Sequence, residues 1–220
     1  MTESQAREEI CRVGRSLFER GYVHATAGNI SVRLDDGFLI TPTDACLGFL
    51  DPAALAKVDL QGRQVGGATA SKTLVLHRRI YEAHAPLAST PRCVIHSHST
   101  HCVALTLGDP QGELLPPITP YFVMKVGHVP VVPYRRPGAP EVADLVAALI
   151  ARYAEAGTPL RAVMLTRLGP NVWHDTPAQA MAVLEELEET AKLWLLAAAK
   201  PQALSKQALE ELRLAFGVYW

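Results

Sequence analysis

The chain has 220 residues, 49% hydrophobic and 20% charged, with a formal net charge of −1. That balance supports one sizeable core, and near-neutral charge without a Lys/Arg block argues against a nucleic-acid or membrane-surface partner and for a small-molecule one. Four cysteines (Cys11, Cys46, Cys93, Cys102) without C-x-x-C spacing, an opening Met1-Thr2-Glu3-Ser4 with no basic-then-apolar leader, and no apolar run near the roughly 20 residues of a membrane span point to a reducing cytoplasm.

Taken in chain order, a first helix is predicted over residues 2–20, with Ala6, Ile10, Val13 and Leu17 on one stripe and Gly21 as its stop. Two strands come next over 30–34 and 38–41, joined by Asp35-Asp36-Gly37, whose Asp-Gly pair signals a hairpin turn. Helices are predicted over 71–84, 100–107 and 140–154, with 107–120 the only extended irregular stretch. Strands are predicted over 129–132 and 162–165, the latter answered by 171–173 across a Gly169-Pro170 turn. A long last helix opens with the capping signal Thr176-Pro177-Ala178-Gln179. It carries Ala180, Val183, Leu184, Leu187, Ala191, Trp194 and Leu195 on one face, with Glu185, Glu188 and Lys192 turned to water. No repeat or long linker divides the chain, so the expectation is one layered α/β domain over residues 1–200 and a tail over 201–220 with a short helix.

The most chemical segment is Val94-Ile95-His96-Ser97-His98. A β-branched run reads as a buried strand, and two histidines two residues apart lie on one face of it, able to converge on a metal ion at roughly 2.0–2.1 Å from each ring nitrogen. Ser99-Thr100 reads as the N-cap of the next helix, which puts the histidines at a strand's carboxyl end, where α/β sheets gather ligands. Three further segments suit a ligand: Thr26-Ala27-Gly28-Asn29, Thr41-Pro42-Thr43-Asp44 and Ala70-Ser71-Lys72-Thr73. Small and hydroxyl-bearing residues, a lysine and a helix N-terminus together make a phosphate cradle. Each segment alone is equally a turn or cap, and a lone His-x-His is equally a pair of core histidines; the combination favours a site.

Through Ala27-Gly28-Asn29-Ile30-Ser31, Ile40-Thr41-Pro42-Thr43, Ser71-Lys72 and His96-Ser97-His98, in that order, the chain resembles the class II aldolase/adducin family over about residues 5–198. Within the family it is most similar to the 3-oxo-tetronate 4-phosphate decarboxylases, through Ala70-Ser71-Lys72-Thr73, the segment 115–127 from Leu115-Pro116-Pro117 to Lys125-Val126-Gly127, and Val131-Val132-Pro133-Tyr134-Arg135-Arg136-Pro137-Gly138. The resemblance implies an α/β/α sandwich around a largely antiparallel sheet and a homotetramer with active sites between subunits. It implies a divalent metal, zinc or else manganese or cobalt, on His96 and His98. It places phosphate binding on Gly28, Asn29, Thr43, Ser71 and Lys72, and a proton donor lent across the interface on Tyr121.

Two positions depart from the family pattern. Its third metal ligand, a histidine in an Asn-His-Gly-Pro turn, falls on Leu168 in Arg167-Leu168-Gly169-Pro170, and leucine cannot ligate; His101, His128, His174, a water or substrate oxygens are the candidate replacements. The glutamate that serves the sugar-phosphate aldolases as acid/base falls on Thr73. An aldolase needs such a base to remove a C–H proton. A 3-oxo acid needs none, because loss of carbon dioxide leaves the bonding electrons in the adjoining ketone and gives the same enediolate. The implied reaction is therefore conversion of 3-oxo-tetronate 4-phosphate to dihydroxyacetone phosphate and carbon dioxide through a metal-stabilised enediolate, with Lys72 and Tyr121 in the chemistry. A metal-dependent aldolase, with Glu82 or Asp44 as substitute base, is the alternative, and a non-catalytic oligomeric binding protein a further one.

Overall fold

The first helix, α1 (Glu3–Glu19), begins where Thr2 and Gln5 close a capping box: the Thr2 hydroxyl accepts from the Gln5 N–H and the Gln5 side chain accepts from the Thr2 N–H. Its stripe of Ala6, Ile10, Val13 and Leu17 is fully buried. The structure is a computed structural model and describes residues 1–87 and 90–220.

Among the described residues, eight strands form one sheet in the order β4-β3-β2-β1-β5-β8-β7-β6. They are β1 (Asn29–Leu34), β2 (Gly37–Ile40), β3 (Ala56–Asp59), β4 (Gln64–Gly66), β5 (Cys93–His96), β6 (Val131–Val132), β7 (Ala162–Leu165) and β8 (Gly169–His174). Every neighbouring pair is antiparallel except β6 with β7. The hairpin at Asp35-Asp36 forms as its Asp-Gly signal predicts, with Leu34 opposite Gly37. The predicted Gly169-Pro170 turn does not form. Those residues open β8, opposite Leu165 and Met164, and the turn is Thr166 to Leu168 with Arg167 at φ +62°. Pro170 lacks the N–H that would complete its pair with Ser97, but its carbonyl still accepts from Ser97 N–H, and a single missing bond is tolerated in the first residues of a strand, so the strand starts earlier than the turn signal suggests.

Helices cover both faces. On one side α1 and α5 (Pro177–Leu196) pack Leu17, Leu184 and Leu187 against Ile30, Ile95 and Val172. On the other, α2 (Leu74–His84) and α4 (Glu141–Glu155) pack Ile80, Tyr81 and Val146 against Val94, Val163 and Trp173. This is the expected α/β/α sandwich. Helix α2 starts three residues later than predicted, and α3 (Thr100–Leu105) stops two residues sooner. A π-helical turn, Phe122–Val126, comes after Tyr121, and α6 (Lys206–Phe216) lies in the tail, whose Trp220 stacks on His128 at 4.3 Å.

Glu188 is the main correction to the helical pattern. It is buried rather than turned to water, and its carboxylate accepts from the backbone N–H groups of His101 at 2.9 Å and Cys102 at 3.0 Å. Nδ1 of His101 lies 2.8 Å from the same carboxylate. Ser99, the expected cap, makes no such bond; its hydroxyl pairs with Ser97 at 2.6 Å. A side chain from α5 thus satisfies the open donors of α3 and sets a negative charge at its N-terminus. Replacing Glu188 by Ala strands those donors in the core, so urea denaturation of Glu188→Ala is expected to show a loss of about 2–4 kcal/mol, with Glu188→Gln losing less.

Candidate active site

Four strand ends meet at one edge of the sheet. The register sets Asn29 opposite His96 and His96 opposite Asn171, so β1, β5 and β8 place these three residues side by side on one face. The chain beyond β2 joins them: Thr43 N–H donates to Thr69 O at 2.9 Å, Ser71 N–H to Thr41 O at 3.3 Å, and Pro42 bridges Ala70. Antiparallel pairing therefore gathers Gly28, Asn29, Thr43, Ser71, Lys72, His96 and His98 at this end, though they are spread over some 70 residues of sequence.

The histidine pair is arranged for ligation. The ring centres of His96 and His98 lie 5.0 Å apart. His96 Nδ1 sits 3.0 Å from the Pro170 carbonyl, which can only accept, so Nδ1 carries the proton and Nε2 keeps its lone pair. Burial holds His96 neutral, its pKa pushed down to about 4. His98 is half-buried and also lowered, by burial first and then by nearby His24. His24, exposed on the loop after α1, has no motif around it to mark it in the sequence; its ring centre is 6.4 Å from that of His98 and both line one shallow cleft with Arg167 and Leu168.

None of the three histidines considered as a third ligand is placed for it. His101 is tied to Glu188, His128 stacks on Trp220, and His174 sits at the far end of β8, opposite Cys93 and on the other face of the sheet from His96. Among the described residues, no three His, Cys, Asp or Glu side chains are grouped to hold a metal. Glu82, a candidate substitute base, is half-exposed beside Arg78 and Arg79 on α2.

The segments expected to bind phosphate come together in part. Gly28 has φ +84°, and a Cβ there would meet His96 O at 2.8 Å, so only glycine lets β1 start this close to β5. Ser71 and Thr73 hydroxyls are paired at 2.8 Å at the start of α2, and Thr73 offers no carboxylate. Lys72 is exposed, and among the described residues its ammonium has no ion-pair partner. Tyr121 stands apart, 62% exposed at the start of the π-turn and absent from the cleft that His98 lines. Behind the histidines, His77 of α2 is fully buried with Nδ1 2.8 Å from Ser31 Oγ, which in turn lies 2.8 Å from Tyr81 Oη.

The model of the class II aldolase and adducin N-terminal domain matches residues 8–195. This chain belongs to that family. A curated relative named 3-oxo-tetronate 4-phosphate decarboxylase, from Cupriavidus necator, is 55% identical over 230 residues, spanning 100% of this chain and 99% of its own length. A protein of the same name from Escherichia coli K12 is 40% identical over 96% of each. Among solved structures, YgbL of Klebsiella pneumoniae, whose candidate activities are given as aldolase, epimerase or decarboxylase, superposes with a TM-score of 0.85 at 40% identity, covering 97% of this chain and 100% of that one. An L-fuculose 1-phosphate aldolase superposes at 0.81 with 24% identity, covering 99% and 98%, a likeness of fold.

Burial also makes the site pH-sensitive. His77, like His96, is held neutral in the fold, its pKa lowered to about 3 by burial. In the unfolded chain each ring takes up a proton below its ordinary value of about 6.5. The unfolded state then binds more protons, so the metal-free protein should be most stable above pH 6.5 and lose stability as pH falls, until His96 titrates near 4 and His77 near 3, by at most about 1.4 kcal/mol per pH unit for each ring. Urea titrations of chelated protein at several pH values check this, and His77→Gln should reduce the slope.

Proposed function

We propose that this chain is a 3-oxo-tetronate 4-phosphate decarboxylase, a carboxy-lyase releasing dihydroxyacetone phosphate and carbon dioxide. The observation that carries the reading is the match over the whole chain to curated decarboxylases of that name. The chemistry of the site supports it: the histidine pair lies at the same end of the sheet as Asn29 and the Ser71–Thr73 segment, with threonine where the family resemblance puts the carboxylate that a C–H-abstracting enzyme needs. In the reaction the bond from C1 to C2 breaks, carbon dioxide departs, and the electron pair moves through C2 and C3 onto the 3-oxo oxygen. A proton added at C2 completes dihydroxyacetone phosphate.

In this reading Asn29, Thr43, Ser71 and Lys72, with the backbone at Gly28, hold the 4-phosphate, and the Lys72 ammonium offsets its charge. A divalent metal fits His96, whose Nε2 lone pair the Pro170 carbonyl fixes, together with His98. Zinc, manganese or cobalt bound there supplies Lewis acidity toward the 3-oxo oxygen. Tyr121, exposed and outside the cleft of its own chain, delivers the proton to C2 in a neighbouring subunit, which requires an oligomer, a homotetramer by family likeness. Free cysteines at all four positions suit a cytoplasmic setting.

Purified protein given synthetic 3-oxo-tetronate 4-phosphate is expected to release carbon dioxide and dihydroxyacetone phosphate, to stop after chelation, and to be inactive as His96→Ala. Absence of both products with zinc, manganese and cobalt each tried in turn would refute the assignment. Lys72→Met is expected to raise KM at least tenfold, since a phosphate contact is made in ground and transition states alike; unchanged KM and kcat would remove Lys72 from the phosphate site.

A further inference from the structure

Six buried side-chain nitrogen or oxygen atoms lack a hydrogen-bond partner among the described residues, and four of them belong to Asn29, His77 and Asn171. Both amide atoms of Asn171 are in that set, although the residue is 1% exposed. A buried amide with neither atom satisfied is rare in a folded protein and calls for a partner, whether water, ion or ligand.

The register says where that partner lies. Ser97 N–H donates to Pro170 O at 3.2 Å, so positions 97 and 170 form the hydrogen-bonded pair and 96 and 171 the next, non-hydrogen-bonded one, in which facing side chains come closest. Asn171 is therefore the immediate neighbour of His96 on the same face of the sheet. His96 presents its unprotonated Nε2 on that face, His98 comes two residues on, and Leu168, where the family resemblance puts a third ligand, lines the cleft with His98. Asn29, His77 and His24 are the competing candidates, but Asn29 faces His96 across a hydrogen-bonded pair, where side chains stand farther apart. His77 lies on α2 and is tied to Ser31 through Nδ1, and His24 is exposed with its ring farther from His98 than that of His96.

We infer that Asn171 supplies, through Oδ1, the third protein ligand for the divalent cation held by His96 and His98. This rests on the metal site of the proposed function, and it adds a residue of this chain that makes good the loss at position 168. An amide oxygen is a harder donor than imidazole, so the exchange favours manganese or cobalt relative to zinc more than a three-histidine set would.

The test uses metal alone on the full-length, metal-stripped protein. Mn²⁺, Co²⁺ and Zn²⁺ are titrated calorimetrically, the visible spectrum of the Co²⁺ form is recorded, and the metal-free Tm reports folding. Asn171→Ala is expected to weaken Co²⁺ binding at least tenfold and to change the Co²⁺ spectrum while the metal-free Tm holds. Asn171→Asp should tighten binding, and Leu168→His should restore it in the Asn171→Ala background. Unchanged affinity and spectrum in Asn171→Ala overturns the inference, as does a loss confined to His24→Ala, which would make His24 the ligand. Should Asn171→Ala fail to fold, the nearly isosteric Asn171→Asp decides, an unaltered affinity and spectrum overturning the proposal. Because no substrate is used, these results separate from the decarboxylase assay: Asn171-dependent metal binding without turnover would refute the reaction and leave the ligand standing.

Discussion

Two backbone carbonyls at the end of β5 govern the shape of this molecule. A side chain at position 28 would lie 2.8 Å from the oxygen of His96, and one at position 169 would lie 1.9 Å from the oxygen of Ser97. Both positions are glycine with positive φ, +84° and +132°, so the strands on either side of β5 can close on it. That closure brings an asparagine from each flank beside His96. Without it the histidines would end a strand at a sheet edge with no neighbours to complete a site.

The same constraint explains which parts of the site are legible in the sequence. His96, His98, the small residues near Gly28 and the Ser71-Lys72 pair are each local patterns, and the strand and helix ends predicted for them are close to those observed. Asn171 is readable as a strand residue, but its place next to His96 depends on register between segments 75 residues apart. His24 gives no local signal at all, being one exposed histidine in a loop. Gly169-Pro170 carries a turn signal that the sheet overrides, because the strand needs its first two residues there.

Outside the site, the hairpin, the helix caps and the amphipathic stripes of α1 and α5 follow from period and cap chemistry. Strand β4 escapes a reading by pattern since its three residues are all exposed, leaving no alternation to detect, whereas β3, Ala56-Lys57-Val58-Asp59, does alternate but carries only two apolar residues. Glu188 departs from its expected place for a different reason. Helical period locates a position on a face but does not show that a second helix end, short of hydrogen-bond partners, is waiting on that face.

That carboxylate has a consequence for the order of events during synthesis. Helix α3 begins two residues after His98, and its open N-terminus is closed by a side chain encoded 86 and 87 residues later. A nascent chain that has already made both histidines still lacks the group that anchors the loop carrying them. The corner that carries His96 and His98 therefore cannot reach its final form before α5 has emerged and docked, and α3 and the last core helix are expected to become ordered together.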